Sequence, residues 1–415
     1  MTINEFLTMK TIEGAFKILM VVLFLIFQFT ACSSDSSTSK QVENGEVELS
    51  YASDYYFQLP DTIDEIYESE EFDFHVQNVV EGVEVVWGMA FFPDGKMIFT
   101  ERDGDMHLVR NGELVDDPIG GVPEVWAEGQ GGLLDVEPHP QYDENGWLYF
   151  SYSKPGDGGA NTAIVRARYD EESHSLIDLE ELYSATPSTD RGQHFGSRIK
   201  FDNQGYMFFS IGDRGNRDVN PQDINRDGGK IYRLHDDGTV PEDNPFVGSE
   251  GLDAAYTYGV RNPQGMDLHP ETGIIWTNEH GPRGGDEINV HKEGGINFGW
   301  PEISYGINYN GTSFTDDTAR AGMEQPIWYW DPSIAPSGMA FVTSDNYPGW
   351  KGDILNGALA FQLISRIVVD GEEFVKEERI LEGIGRIRDV EEAPDGYIYF
   401  TNESNGSISR ILPVE

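Results

Sequence analysis

The sequence predicts an all-β chain folded as a six-bladed β-propeller. One phrase recurs six times: a polar turn that contains glycine, an alternating apolar strand, and then a small or acidic residue. No sustained period of 3.6 residues interrupts these short runs, so helices are not expected to build the core. The copies lie about 45 to 80 residues apart, which is typical of four-stranded blades that carry insertions.

The six copies can be followed along the chain. They occupy residues 92–101, 142–151, 201–210 and 270–279, a weaker copy around 352–355, and residues 394–403. Their glycines are Gly95, Gly146, Gly205, Gly273, Gly352 and Gly396. A pair of β-sandwiches would explain the strands but not the recurring phrase. We therefore expect six blades, one of them completed by strands from both ends of the chain, because this closes the ring and protects the sheet edges.

Composition and charge exclude several classes of partner. The 415 residues include 28 basic and 73 acidic side chains, for a net charge of −45. A surface of this charge repels the phosphates of nucleic acids and anionic lipid headgroups, so we expect no nucleic-acid partner. With 38% hydrophobic and 12% aromatic residues, the chain has ample material for a core, which excludes a wholly disordered protein.

The N-terminal segment indicates export. An apolar run at 18–27 follows two lysines and is short for a membrane span, and small residues stand just before Cys32. Residues 1–31 therefore resemble a lipoprotein-type signal peptide, with Cys32 as the lipid-modified residue, and a plain signal peptide is the alternative. Residues 32–71 are predicted to be an acidic polar tether and 72–415 the propeller. The expected location is periplasmic or on the outer membrane or cell surface, with a lipid anchor as the sole membrane contact.

A histidine and an aspartate flank one strand-turn-strand unit. His194 lies in the polar, glycine-rich segment 192–198, and Asp213 follows the strand in 211–215. A histidine that titrates near neutrality can accept a proton if a carboxylate fixes its tautomer. The alternative is a histidine whose ring is satisfied by backbone groups, and the spacing alone does not choose between them.

Arginines occur in two distant segments. Arg261 and Asn262 lie in 258–265, whereas Arg386 and Arg388 alternate near the C-terminus, which places both on one face of a strand. Guanidinium groups suit planar carboxylates, so these residues are candidates for binding an anionic small molecule. Salt bridges to surface acids are the alternative.

The segment 278–289 combines glycines with acidic side chains. Ca²⁺ takes several oxygen ligands, and a glycine-rich turn can present carbonyl groups beside a carboxylate such as Asp286 or Glu287. A solvated acidic turn is the alternative. The sequence lacks the motifs of a Rossmann dinucleotide site, a P-loop, a nucleophile elbow and a zincin helix.

Taken in order, these segments resemble the PQQ-dependent aldose sugar dehydrogenases, which are grouped with the glucose/sorbosone dehydrogenases. The resemblance runs from Gly82 to Leu412, and its most specific pieces are 129–134, 192–198 with 211–213, 261–265, 279–282 with 286–289, and 386–389. It implies a six-bladed propeller that oxidises aldoses at C1 to lactones and passes a hydride to PQQ.

The resemblance also implies roles for individual residues. His194 would be the general base, and Asp213 would orient it. The implied cofactor-binding residues are Gln130, Arg261, Asn262, Arg386 and Arg388. A calcium ion beside the quinone would take the carbonyls of Gly281 and Pro282, and a second, structural calcium would take Glu287 and the carbonyl of Phe298.

Two positions depart from the family pattern. Ala360 stands where the family often has a lysine on a cofactor-facing strand, so PQQ would lose one cationic partner. His280 stands where the glucose-specific relatives have glutamine, which places the chain with the broader aldose branch.

Two other functions stay open from sequence. A calcium-dependent propeller lactonase would need side-chain carboxylates and amides around a metal at the channel centre. A non-catalytic propeller would bind a sugar or a protein. For the dehydrogenase, the expected partners are an aldose and an electron acceptor that the sequence does not identify.

Overall fold

The computed structural model describes residues 57–414, together with the backbone of 40–41. Within these residues, six sheets form a six-bladed β-propeller, which confirms the predicted fold class. The apolar core lies between neighbouring blades; Ile98 of the first blade, for example, shares a buried cluster with Leu148 of the second. In this part of the chain, no helix is long and apolar enough to cross a membrane.

The first three blades each use four consecutive strands. Blade 1 consists of β4 (Val86–Phe91), β5 (Met97–Glu101), β6 (Met106–Arg110) and β7 (Glu113–Leu114). Blade 2 consists of β8 (Leu133–Pro138), β9 (Trp147–Gly156), β10 (Gly159–Asp170) and β11 (Ser175–Ser184), with the one-turn helix α1 (Tyr142–Asn145) between β8 and β9. Blade 3 consists of β12 (Ile199–Phe201), β13 (Met207–Ile211), β14 (Lys230–Leu234) and β15 (Ala255–Tyr258).

The remaining blades complete the ring. Blade 4 consists of β16 (Pro263–Leu268), β17 (Ile275–Glu279), β18 (Asp286–Val290) and β19 (Trp328–Trp330). Blade 5 consists of β20 (Pro336–Phe341), β21 (Ile354–Ala358), β22 (Leu363–Asp370) and β23 (Glu373–Ile380). Blade 6 joins β24 (Ile387–Glu392), β25 (Ile398–Asn402) and β26 (Ser407–Val414) to the early strands β3 (Asp73–Glu81), β2 (Glu65–Glu68) and β1 (Lys40–Gln41). The innermost strands β4, β8, β12, β16, β20 and β24 contact one another in a closed circle.

Each recurring phrase forms the hairpin between the innermost strand of a blade and its second strand. The six phrase glycines all have φ between 68° and 92°. Side chains with a Cβ rarely adopt this left-handed region, so glycine is the favoured residue at these turns. The phrase therefore marks the same turn once in every blade.

Both ends of the chain close the ring, as predicted. Strand β26 pairs antiparallel with β3, from Ser407 opposite Glu81 to Val414 opposite Asp73. This pairing gives blade 6 its fourth strand and leaves no open edge between β26 and the rest of the ring.

The boundary predicted between tether and propeller was wrong for residues 57–71. Phe57 is buried in the blade 6 core, where its ring lies 5.9 Å from that of Tyr399. Strand β2 pairs with β3 through Tyr67 opposite Phe74. This segment therefore belongs to the propeller, because it covers the outer side of β3. The predicted signal peptide and residues 32–56 of the tether lie outside the described residues, apart from the backbone of β1.

A buried ion network crosses the channel and ties several blades together. Arg198 donates from Nη1 to Oδ1 of Asp135 at 2.8 Å, and its Nη2 lies 2.9 Å from Oδ1 of Asp389. The other oxygen of Asp389 accepts the backbone N–H of Met89 at 2.9 Å. Each of the three charged side chains is at most 4% exposed. One guanidinium thus compensates two buried carboxylates and joins blades 2 and 6 to the segment that begins blade 3.

We predict that Arg198→Met destabilises the fold strongly, because it leaves two buried carboxylates without their cation. The expected loss is about 3–5 kcal/mol in the free energy of unfolding, measured by urea denaturation. Lys154→Met is the matched control, since Lys154 and its partner Glu181 are 38% and 41% exposed; this loss should stay below about 1 kcal/mol. Similar losses in both variants would contradict the interpretation.

Candidate active site

Two cavities open at the end of the channel where the innermost strands begin. The first, called the channel cavity, has a volume of 310 Å³ and is lined by residues from all six blades. Its charged and polar lining includes Arg102, Gln130, His280, Arg386, Arg388 and Glu403. These residues lie near the starts of innermost strands or in connections between second and third strands, which is why they meet at one mouth.

The second cavity, called the side cavity, has a volume of 280 Å³ and is bordered by loops of blades 3 and 4. Its lining includes His194, Asp213, Arg217, Arg261, Trp300 and Tyr309. His194 lines the side cavity and the next residue, Phe195, lines the channel cavity. The two cavities are therefore neighbours that share the wall formed by this segment.

His194 and Asp213 are in direct contact, so the ring of His194 is not held by backbone groups alone. Its Nδ1 lies 2.6 Å from Oδ1 of Asp213. The carboxylate also accepts the backbone N–H of Gly215 at 2.7 Å and the indole N–H of Trp300 at 2.9 Å. Because an ionised carboxylate only accepts hydrogen bonds, Nδ1 of His194 carries the proton and Nε2 keeps its lone pair.

The ionisation states of this pair follow from burial and nearby charge. Burial lowers the pKa of His194 below its usual value, and the charges of Arg261 and Arg214 act in the same direction against the hydrogen bond to Asp213. Burial opposes ionisation of Asp213, but the hydrogen bonds from His194 and Trp300 and the charge of Arg261 leave its pKa below the usual value. Near pH 7 the pair is therefore a neutral imidazole beside a carboxylate, which is the state that can accept a proton.

The backbone around His194 is held by side chains from other blades. His194 has φ of 58°, and its N–H donates to Oε1 of Gln130 at 2.7 Å. Oδ1 of Asn262 accepts the N–H of Gly196 at 3.2 Å. A Cβ at Gly212 would lie 2.5 Å from the carbonyl oxygen of His194, so this approach of two loops requires glycine. Gln130 and Asn262, both predicted as cofactor-binding residues, thus contact the segment that carries His194.

The two C-terminal arginines face the channel cavity and share one carboxylate. Glu403 accepts from Nε of Arg386 at 2.9 Å and from Nε of Arg388 at 2.7 Å. Arg388 also donates to Oε1 of Gln264 at 3.2 Å. Both arginines thus line the cavity and are paired with Glu403, which also lines it and orients both guanidinium groups. Their binding of an anionic small molecule stays a prediction.

Arg261, which lines the side cavity, is in contact with His280, which lines the channel cavity. Arg261 donates to the carbonyl oxygen of His280 at 2.8 Å. Burial, assisted by the charge of Arg261, lowers the pKa of His280 to about 3. Its Nε2 lies 2.8 Å from the carbonyl oxygen of Pro336, so this nitrogen carries the proton. His280 is therefore a neutral polar group in the cavity wall.

A small cavity beside His280, called the acid pocket, is lined by the buried Glu279 and the half-buried Glu287. Its lining includes Glu279, Gly281, Pro282, Glu287 and Phe298, which brings both predicted pairs of calcium ligands together. The side-chain amide of Asn289 donates to Glu279 at 3.0 Å and to Glu287 at 3.4 Å. Burial raises the pKa of Glu279 to about 7, and burial and the charge of Glu279 raise that of Glu287 above its usual range.

The donor set of the acid pocket fits a divalent cation. Oδ1 of Asn289 is buried and has no hydrogen-bond partner within the described chain. Over the same residues, neither Glu279 nor Glu287 forms an ion pair with a basic side chain within 4.0 Å. Arg261 also lines the pocket but forms no ion pair with either carboxylate, and carboxylate oxygens are ligands that Ca²⁺ prefers.

Sequence reasoning missed the role of acidic residues that end three recurring phrases. Glu403 holds the two C-terminal arginines, Glu279 accepts the N–H of Asn262 at 3.0 Å, and Glu101 accepts the N–H of Glu84 at 2.7 Å. In blades 1, 4 and 6, the end of the second strand thus fixes residues at or just before the innermost strand. The glutamate at the end of the phrase was the available signal, although it did not identify the partner.

The chain is similar to known sugar dehydrogenases. The family model of Glucose / Sorbosone dehydrogenase matches residues 83–410. Aldose sugar dehydrogenase YliI of Escherichia coli K12 is 42% identical over 334 residues, which cover 79% of this chain and 90% of that protein.

Solved structures of aldose sugar dehydrogenases also match this chain. The apo-form of the soluble aldose sugar dehydrogenase of Escherichia coli matches with a TM-score of 0.79 and 39% identity, covering 82% of this chain and 99% of that one. The PQQ-bound form of an aldose sugar dehydrogenase from Streptomyces coelicolor matches with a TM-score of 0.69 and 26% identity, covering 82% and 98%.

Fold, site and relatives together define a propeller oxidoreductase. Because the family model spans most of the chain, this protein belongs to the glucose/sorbosone dehydrogenase family. This match confirms the family that the sequence motifs indicated.

We predict that His194 titrates below the usual histidine range and that Asp213→Asn lowers its pKa further, because the variant removes the anion that stabilises the imidazolium. The measurement is a pH titration of the histidine ring signals by NMR, with His194→Gln used to assign the signal. Asp218→Asn is the control, since Asp218 lines the same cavity but is 82% exposed. A higher pKa in Asp213→Asn would contradict the assigned geometry.

Proposed function

We propose that this protein oxidises aldose sugars at C1 to lactones, with PQQ and Ca²⁺ as cofactors and His194 as general base. The observation that carries the proposal is the position of the neutral His194–Asp213 pair beside a cavity lined by arginines. The PQQ-bound aldose sugar dehydrogenase among the structural relatives supports the same cofactor.

The residues of this chain would act on the hydroxyl proton of the sugar. Nε2 of His194 would accept the proton of the C1 hydroxyl while the hydride leaves C1, so that the C1–O bond becomes the carbonyl of the lactone. Asp213, 2.6 Å from Nδ1, would stabilise the imidazolium that forms. When bound, PQQ would supply the two-electron acceptor for the hydride.

The channel cavity fits a planar tricarboxylate. Arg102, Arg386 and Arg388 line it with only one carboxylate, Glu403. Ala360 lines the same cavity, so this position would offer no cationic partner to the cofactor. Arg102, which sequence reasoning overlooked, supplies a third cation from a different blade. Trp87 and Phe195 add aromatic walls suited to a flat ring system.

Calcium would be held by the acid pocket and the adjoining turn. Gly281 and Pro282 are the ligands proposed for the ion beside the quinone, and Glu287 with the carbonyl of Phe298 those for a structural ion. The carboxylates of Glu279 and Glu287, held near each other by the side-chain amide of Asn289, which donates to both, support a cation here. A cation near the quinone would stabilise negative charge that develops on its oxygens.

The alternatives fit the described residues less well. A propeller lactonase needs carboxylates and amides free to bind a metal at the channel centre, whereas Glu403 is engaged by two arginines. A non-catalytic binding protein has no use for a buried histidine poised by a carboxylate. The acceptor of the electrons stays unassigned.

We also propose export and lipid attachment at Cys32. The support is the sequence alone: a basic start, a short apolar run, and small residues before the cysteine. Labelling of the expressed protein with a radioactive fatty acid, absent in Cys32→Ser, would test this attachment.

The function is tested by reduction of an artificial dye acceptor in the presence of PQQ, Ca²⁺ and a set of aldoses. The expected result is dye reduction that needs PQQ and falls about 10²–10⁴-fold in His194→Ala. His235→Ala is the matched control, since His235 follows β14 and lines neither cavity. Lactone hydrolysis without PQQ would favour the lactonase, and silence in both assays would favour a binding protein.

We predict that Ca²⁺ raises the melting temperature by a few degrees, and more at pH 8 than at pH 5. Ca²⁺ needs ionised ligands, and the pKa of Glu279 is raised to about 7 by burial, so protons compete with the ion at lower pH. Differential scanning calorimetry measures the shift. Glu287→Gln should abolish it, whereas Glu293→Gln, on an exposed neighbouring turn, should not. An equal shift at both pH values would contradict this assignment.

A further inference from the structure

We propose that Glu101, Asp105 and His107 form a binding site for a divalent transition-metal ion such as Zn²⁺ on blade 1. Each side chain offers one ligand atom, and the three atoms lie within 4.8 Å of one another. None of the three residues lines the channel cavity, the side cavity or the acid pocket. The inference therefore goes beyond the proposed function and does not depend on it.

The three side chains come from one hairpin. Glu101 is the last residue of β5, and His107 is the second residue of β6. The N–H of Glu101 donates to the carbonyl oxygen of Asp105 at 2.7 Å, and Phe99 lies opposite His107 in the strand pair. Because side chains two positions apart share a face of a strand, and so do those directly opposite across the pair, all three ligands project from the same face.

The distance within the histidine–glutamate pair is that of two metal ligands. Nε2 of His107 lies 3.3 Å from Oε2 of Glu101, whereas the His194–Asp213 contact measures 2.6 Å. A hydrogen bond between a charged carboxylate and an N–H donor is usually about 2.7–2.9 Å long. With bonds of about 2.0–2.1 Å, two ligands of a tetrahedral Zn²⁺ lie about 3.3–3.4 Å apart.

The surroundings fix two of the ligands and leave the third adjustable. Oε1 of Glu101 accepts the N–H of Glu84 at 2.7 Å, which leaves Oε2 for an ion. The ring of His107 stacks on that of Phe99, with the ring centroids 5.0 Å apart. Asp105 is exposed, and its carboxylate has no hydrogen bond or ion pair within the described residues. An ion can therefore enter from solvent beside Asp105, and this carboxylate can rotate onto it.

The donor set favours a transition metal over Ca²⁺. Ca²⁺ takes six to eight oxygen ligands, whereas an imidazole nitrogen with two carboxylates suits Zn²⁺. Nδ1 of His107 is buried and has no hydrogen-bond partner within the described chain. Tight zinc sites use this second nitrogen to donate to an acceptor that orients the ring. We therefore expect a dissociation constant in the micromolar range rather than the nanomolar range.

A bound ion would hold the turn that carries Arg102. This residue follows Glu101 directly, lines the channel cavity, and donates from its guanidinium group to the carbonyl oxygen of Gly129. An ion that joins Glu101 to Asp105 restrains both ends of this turn. The site would therefore act on the position of one cation at the mouth of the channel cavity.

The test is isothermal titration calorimetry of the purified full chain with ZnCl₂, in excess Ca²⁺ and without PQQ. Excess Ca²⁺ keeps Zn²⁺ from sites built of oxygen ligands, and the quinone cannot chelate the metal. Asp105→Asn and His107→Gln should each raise the dissociation constant at least about 10-fold, because each removes a ligand. Asp103→Asn is the matched control, since Asp103 is exposed on the same turn and outside the group; its value should stay within about twofold.

Two further measurements report where the ion binds. In NMR spectra of the histidine rings, Zn²⁺ should shift the signals of His107, which are assigned by their loss in His107→Gln. Hydrogen exchange of the backbone amides of residues 102–105 should slow when Zn²⁺ is added to the wild type. The exchange should not slow in Asp105→Asn, whose exposed substitution leaves the fold intact.

The outcomes are distinct. Weaker Zn²⁺ binding in Asp105→Asn and His107→Gln, with unchanged binding in Asp103→Asn, supports the site. Absence of binding to the wild type up to about 1 mM Zn²⁺ overturns it. Binding that is unchanged in Asp105→Asn also overturns it, because the ion then lies elsewhere. Since these assays contain neither PQQ nor sugar, their failure leaves the proposed oxidation untouched, and a failure of the oxidation leaves the metal site untouched.

Discussion

The pairing of β3 with β26 joins residues that are more than 300 positions apart and holds the ring closed. Ser409 donates to Asn78 across this junction at 2.8 Å, a separation of 331 positions in the sequence. Every candidate site residue lies on a loop or strand end at one mouth of that ring. A closed ring fixes the distances between such loops, which could otherwise move apart with the blades. The site is therefore a consequence of closure, since all six blades contribute to the channel cavity.

Arginines are concentrated around the channel cavity of an otherwise strongly acidic protein, and this concentration makes the cavity the candidate site for an anionic ligand. The chain as a whole carries −45, yet three arginines and one carboxylate line the channel cavity. Holding cations close together costs free energy unless they are compensated, and Glu403 reduces this cost for Arg386 and Arg388. In the acid pocket the balance is the opposite, because Glu279 and Glu287 form no ion pair within 4.0 Å in the described chain, and Arg261 is the one basic residue among those that line the pocket. One mouth thus carries a group of arginines next to a group of carboxylates, which is the charge pattern that the proposed quinone and metal cofactors would need.

The sequence predicted well those features that are encoded locally. Six glycine turns, alternating strands and the need to protect open sheet edges were sufficient to predict a six-bladed ring closed by both ends of the chain. The pairing of His194 with Asp213 was one of two open interpretations, because both residues flank a single hairpin. The anchors Glu403 and Glu279 were missed, and so were Arg102 and Trp300. The two glutamates hold groups on the neighbouring strand of their own blade, whereas Arg102 and Trp300 contact loops of another blade. No short sequence pattern records either kind of contact.

The sequence by itself determined the number of blades, the residue types available to the site and the family to which the chain belongs. A left-handed turn favours glycine, and a strand with one buried face favours alternating apolar and polar residues, whatever the position of the segment in the fold. These features can therefore be predicted from a short stretch of sequence. The tertiary structure decided which guanidinium faces which cavity, which nitrogen of His194 carries the proton, and that residues 57–71 belong to the propeller. These depend on burial and on distances between segments that meet only when the ring closes. For the same reason, the hydrogen bond from Trp300 to Asp213 is visible in the folded chain alone.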